Sequence, residues 1–251
     1  MKFLCRRDFP DSRDFIYELQ QNLSSQPQVF KLPFLPEILN QGGLASCVAN
    51  QVSNALKYCL MKQKFNIIQP SRLFIYYFGR VLHNFPADQD TGLSIRNGIQ
   101  SVSKYGTCKE PTWPYNIDQF KIKPNDVAIN EALQTIPKFQ YVSIPNRLDY
   151  LKSALMDGYP IVFGLSIFES FCYENTWKTG NVPIPKPDEK SMGGHCVAAY
   201  GWVDEIQSFL MMNSWGTQYG IQGWFYLPYT YVLKHGWDFW QIQFFNEEVS
   251  K

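Results

Sequence analysis

No run of about 18 apolar residues occurs in the 251-residue chain, so no segment reads as a membrane-crossing helix. The opening stretch MKFLCRRDFPDSRDF has only Phe3-Leu4-Cys5 as an apolar core before Arg6-Arg7-Asp8. That is short of the roughly 7–15 apolar residues of a secretory signal, and no export signal is expected. Charge of one sign is also missing: Lys+Arg 23 against Asp+Glu 22 leaves a net +1. A nucleic-acid partner gains no support from that balance. The six cysteines form no CxxC pair, and no Cys/His group has zinc spacing, so neither a metal nor another cofactor is expected. Their irregular spacing in a long chain favours free thiols in a reducing compartment. Histidine is scarce, with only His83, His195 and His235.

What is abundant is apolar and ring surface. Hydrophobic residues make up 45% and aromatics 16% of the sequence. Such a chain must collapse around a core, and its length suits one large domain or two small ones. Residues 1–33 are polar and broken by Pro10, Pro27 and Pro33. They are expected as a surface extension with a short helix at Arg13–Gln21. In SCVANQVSNALKYCLMK, residues Val48, Val52, Ala55, Leu56, Cys59 and Leu60 recur at spacings of three and four. This predicts a helix from Cys47 to Lys62 with Ser46 as N-cap. Further helices are expected over 71–82, 94–105, 126–134 and 148–157. After Pro160, IVFGLSIF, HCVAAYGWV, SFLMMNSW and GWFYLPY read as strands. Helices first and strands later argue for an α+β fold with two lobes: 34–125 mainly helical and 126–251 mainly β. A cleft is expected between them.

Four residues could carry chemistry together. Cys47 follows a glycine turn and opens a helix, where unpaired N–H groups and the macrodipole favour a thiolate. A buried apolar cysteine is the alternative reading. His195 begins a strand after Gly193-Gly194, whose lack of side chains lets a ligand approach; a structural histidine is its alternative. His83 and His235 read as helix-end residues. Asn213, between methionines and Trp215, is costly there unless hydrogen-bonded, and could fix an imidazole ring. Trp215 could keep water from that bond. Gln41, across the turn from Cys47, could supply an amide N–H to an oxyanion, or be a plain loop residue.

In this order, Gln41, Cys47, His195 and Asn213 resemble the papain-like cysteine peptidases. QGGLASC is similar to the segment around the family's nucleophile, GGHCVAAYGW to its histidine strand and NSWGTQYGIQGWFYLP to its asparagine segment. DTGLSIRNGIQSVSKYGTCKEPTWPY resembles its glycine-containing substrate wall and the helix after it. His195 follows Cys47 within the family's interval of about 130–150 residues. The likeness runs from about Leu32 to the end, and is nearer the bacterial and large-DNA-virus branch, which lacks the usual inhibitory prodomain. It implies a helical left lobe, a β-barrel-like right lobe and the active-site cleft between them. It also implies peptide-bond hydrolysis through a thioester on Cys47, with His195 as general base then acid. Asn213 would orient His195, and Gln41 would help hold the oxyanion. Gly92 and Gly194 would pair with substrate backbone, and Trp215 would line the leaving-group side.

Departures bear on cleft shape: Leu44 stands where secreted members have a disulfide cysteine, Ala45 and Val48 replace a glycine and an aromatic, and Thr91-Gly92 replaces a glycine pair. The partner implied is a polypeptide, with no nucleic acid or membrane, and the location cytoplasmic or virion-associated. A catalytically silent binding module and a Cys–His amidase or acyltransferase are the alternatives. About thirty residues before Leu32 are too few for a helical prodomain, but they could lie over the cleft in its place.

Overall fold

In the computed structural model the described residues are 2–19, 26–66, 68–135 and 138–244. Helix α1 (Cys47–Lys62) is the central rod, with thirteen of its sixteen residues buried. The heptad-like stripe in its sequence predicts one buried face; the structure wraps it on nearly every side. Loop carbonyls receive several of its polar donors, while Gln51 Oε1 and Asn54 Oδ1 are buried without a partner among the described residues. Gln51 Nε2 donates to Met212 O (3.2 Å), Ser53 Oγ to Pro70 O (2.6 Å) and Asn54 Nδ2 to Glu37 O (3.2 Å). Helices α2 (Arg72–Leu82) and α3 (Ile95–Tyr105) pack beside it. Ser71 and Ser94 cap them by accepting the N–H groups of Phe74 and Asn97. Gly98 sets the closeness of α3 to α1, since a Cβ there would meet Val48 Cγ1 at 2.8 Å.

The rest is mainly an antiparallel sheet. In chain order come β1 (Val29–Lys31), α4 (Asp126–Thr135), β2 (Phe139–Ile144), α5 (Leu148–Met156), β3 (Ile161–Phe168) and α6 (Glu174–Thr179). Then follow β4 (Ser191–Val203), β5 (Ser208–Met212), β6 (Trp224–Pro228), α7 (Tyr229–His235) and β7 (Gly236–Phe244). The 7-stranded sheet runs β2-β7-β3-β4-β5-β6, with β1 added on β4. Strand β4 is the pivot: its first half pairs with β3, and its second half with β5 on one side and β1 on the other. His195 sits in the first half, opposite Leu165. One apolar cluster joins α1–α3 to the sheet, and the whole is α+β.

The expected helix at 13–21 is absent from the described part, 13–19; Gln20 and Gln21 lie outside the described residues. Arg13 is drawn into a turn by Asp11, and the chain then runs extended beside β2. Ser143 N–H donates to Phe15 O and Tyr17 N–H to Ser143 O, both at 2.8 Å. Pairing with an edge strand wins over weak helix propensity. Nor is this stretch wholly on the surface, because Cys5, Tyr17 and Leu32 are buried in the core cluster.

Candidate active site

Two walls bring the expected residues together. On the helical side, Gly42 (φ +59°) turns the chain after Gln41 so that Cys47 becomes the first residue of α1. An N–H at that position has no partner one turn earlier in its own helix. Ser46 precedes it but does not cap with its side chain; its Oγ pairs instead with the Tyr115 hydroxyl. Tyr115 also donates to Gln41 O (2.9 Å), and Arg72 lies over its ring, so the turn is clamped from outside. Gln41 is fully buried. Its Nε2 donates to Leu44 O (3.0 Å) and its Oε1 accepts from Ser214 Oγ (2.7 Å). One amide hydrogen of Gln41 remains for another acceptor.

On the sheet side, His195 on β4 faces Asn213, just past β5, with Nε2 and Oδ1 2.9 Å apart. Oδ1 also accepts the Ser214 N–H (2.8 Å). An amide oxygen only accepts, so the His195 proton lies on Nε2, and the neutral ring has its lone pair on Nδ1. Trp215 covers the pair, its ring 4.8 Å from the imidazole. Among the described residues, His195 Nδ1, Asn213 Nδ2 and Trp215 Nε1 are buried without a hydrogen-bond partner of ordinary geometry.

Cys47 and His195 interact across the gap, and both are fully buried. What covers them is residues 2–9. Cys5 N–H donates to Gly194 O (2.9 Å), Gly194 N–H to Phe3 O (3.1 Å) and Arg6 N–H to Leu93 O (2.9 Å). This strap is thus an extended strand strung between the two walls. Phe3 packs on Trp215 (5.9 Å) and edge-on to His195 (6.3 Å). Gly92 (φ +70°) and Gly194 make room for it, since a Cβ there would sit 1.9 Å from Leu4 O and 2.3 Å from Cys5 O. Leu93, one residue beyond Gly92, makes the backbone pairing on that wall.

The strap corrects the electrostatic expectation for Cys47. Its thiol pKa stands well above the ordinary thiol value rather than below it. The neighbouring Cys5 thiol is the chief cause and burial the next, and both outweigh the lowering by His195. Cys5 is itself held up, first by a hydrogen bond to Cys196. Sequence reasoning missed Cys5, Phe3 and Ser214. Ser214 had a signal, its place in NSWG; Phe3 and Cys5 had none, because only folding brings them to the site. His83 and His235 lie apart from this constellation, at the ends of α2 and α7.

Comparisons with known proteins find relatives of this chain. The model of the papain family of cysteine proteases matches residues 88–233. A peptidase C1-like protein of Acanthamoeba polyphaga mimivirus is 40% identical over 227 residues, 85% of this chain and 72% of that one. The crystal structure of xylellain, a cysteine protease from Xylella fastidiosa, superposes with a TM-score of 0.90 at 31% identity, covering 97% of this chain and 96% of that one. A digestive procathepsin L 3 of Tenebrio molitor shares the fold, with a TM-score of 0.68 at 14% identity over 89% of this chain and 73% of that one.

Proposed function

The chain belongs to the papain family of cysteine proteases, and we propose that it hydrolyses peptide bonds with Cys47 as nucleophile and His195 as its base. The observation that carries this is the facing of two groups. A thiol stands at the mouth of α1, opposite an imidazole whose far nitrogen is fixed by Asn213 at 2.9 Å. That hydrogen bond leaves Nδ1 to take the thiol proton, and the thiolate attacks the scissile carbonyl. The resulting oxyanion is placed to accept from the Cys47 N–H and the spare Gln41 amide hydrogen. The C–N bond then breaks, with the proton on Nδ1 passing to the leaving amine. A water deprotonated by His195 attacks the thioester and releases the acid and the free thiol.

The strap must leave before substrate can enter. Its departure removes Cys5 and part of the burial, the two influences that raise the Cys47 pKa, and leaves the lowering by His195. The covered enzyme therefore holds its nucleophile protonated, and uncovering also activates it. In this reading residues 1–33 are a cover, 34–125 supply the nucleophile wall and 126–251 the imidazole wall. Gly194 and the Gly92–Leu93 backbone, now paired with the strap, serve the substrate backbone, and Trp215 lines the leaving-group side. No helix of the described residues is long and apolar enough to cross a membrane. All six thiols are free, which supports a reducing setting in cytoplasm or virion. The near-neutral charge supports a polypeptide rather than a nucleic-acid partner.

Cleavage-site profiling of a peptide library by the wild type beside Cys47→Ala tests the proposal. Cleavage by the first and none by the second is expected; equal cleavage by both refutes it.

A further inference from the structure

Asp90 does no work in the mechanism above, yet it sits against the nucleophile turn. Its carboxylate accepts the Ala45 N–H at 3.1 and 3.2 Å, two residues before Cys47. It also accepts the Tyr76 hydroxyl (2.5 Å), and that hydroxyl in turn accepts the Gly92 N–H (3.1 Å). The side chain is only 9% exposed. Among the described residues, the one cation in ion-pair contact with it is Lys2 of the strap, at 2.6 Å. The guanidinium of buried Arg80 lies within electrostatic reach, but its hydrogen bonds go to the carbonyls of Tyr76, Ala87, Gln89 and Phe120. A second strap cation, Arg6, donates through Nε to Thr91 O (2.9 Å).

When the strap leaves, both cations leave with it. Asp90 then keeps the Ala45 N–H and the Tyr76 hydroxyl as donors and Arg80 within electrostatic reach, but loses the one cation it touches. A ligand that brings its own cation to the place of Lys2 restores that ion pair. We infer that Asp90 selects substrates with lysine or arginine beside the scissile bond, and that Lys2 occupies the position of that side chain in the covered enzyme. This rests on the peptidase reading. The location favours the residue that supplies the attacked carbonyl. Asp90 links the Gln41–Cys47 turn, through the Ala45 N–H, to the Gly92 wall, through the Tyr76 hydroxyl, whereas Phe3 and Trp215 pack against His195.

Peptidyl acyloxymethyl ketones that differ only in arginine, lysine or norleucine next to the ketone provide the test. Each alkylates a cysteine thiolate with loss of a carboxylate, and the rate of Cys47 modification in the full-length chain is read by mass spectrometry. Opening of the strap affects all three probes alike and cancels in the rate ratio. Arginine and lysine probes are expected to react roughly 10- to 100-fold faster than norleucine, the range for a charge-assisted contact. That ratio should fall as ionic strength rises. Asp90→Asn should bring it near one, and Asp90→Glu should keep part of the preference. A wild-type ratio near one, or an arginine preference intact in Asp90→Asn, overturns the inference and spares the peptidase reading. Failure of every probe to modify Cys47 overturns both. Should Asp90→Asn not fold, the wild-type ratio and its salt dependence decide alone.

Discussion

The two walls of the cleft are built differently. On the helical wall, most polar groups flanking Cys47 are engaged: Gln41 uses its oxygen and one of its two amide hydrogens, Ser46 meets Tyr115, and Asn50 holds Ser46 O (2.9 Å). On the sheet wall, among the described residues, His195 Nδ1, Asn213 Nδ2 and Trp215 Nε1 are buried without a hydrogen-bond partner of ordinary geometry. Leaving a buried polar atom unpaired costs about 1–3 kcal/mol. A protein keeps such a cost where an absent group supplies the partner. The helical wall therefore mainly fixes position, with one Gln41 hydrogen held back for the oxyanion, while the sheet wall holds more of its hydrogen-bonding capacity in reserve for reacting atoms.

Substitutions on the two walls should separate these roles. Cys47→Ala and His195→Ala should each lower kcat/KM by at least about 10000-fold, because they remove members of one chemical unit. Gln41→Ala should lower kcat by about 100- to 1000-fold as an oxyanion donor is lost. It should also lower thermal stability, since Ser214 Oγ loses its acceptor. Asn213→Ala, on the reserve side, should cost about 10- to 100-fold in kcat, the worth of one hydrogen bond to a charged ring. Equal stability losses for Gln41→Ala and Asn213→Ala, compared by denaturant titration, would break the contrast between the walls.

A smaller effect concerns how the strap is anchored. Asp238 accepts the Asp8 N–H (2.6 Å), and burial raises its pKa to about 6. The backbone hydrogen bond and Arg7 and Arg96 lower it, and Asp8 raises it further. A carboxyl raised by folding adds stability at low pH and loses that contribution as pH climbs through about 6. Asp238→Asn, which keeps an acceptor without the charge, should therefore raise stability above pH 7 by about 1 kcal/mol after solvent screening. It should change little at pH 4. Smallest is Ser214→Ala, at about 1 kcal/mol and a few-fold in kcat.

How legible each part was in the sequence follows from how local its cause is. Helix α1 could be read from Val48, Val52, Ala55 and Leu56 because its periodicity is local, and β3 to β6 because β-branched and aromatic runs are local too. Strand β7 was not read: Asp238 (φ 53°) breaks the pattern, and Gln241 looks exposed in sequence. In the fold Gln241 is buried, its amide spent on Ala154 O (2.7 Å) and Tyr159 O (3.0 Å). Cys47, His195, Asn213 and Gln41 were legible through motifs around each. The strap was legible only as a polar, proline-broken stretch. Its hold on the cleft depends on Gly194 and Leu93, far away in sequence. The thiol's raised pKa was illegible for the same reason, because Cys5 reaches Cys47 only in the folded chain.

Thiol reactivity decides the matter most directly. Five of the six free cysteines are buried, and Cys172 alone is half-exposed. Simple access would make Cys172 the first to react. Limited alkylation of the native wild type and of His195→Ala, mapped by mass spectrometry with Cys172 as the internal reference, should show Cys47 modified whenever the strap opens and that rate lowered sharply without the imidazole. A Cys47 rate that stays unchanged relative to Cys172 in His195→Ala would mean that the thiol and the imidazole do not work as a pair.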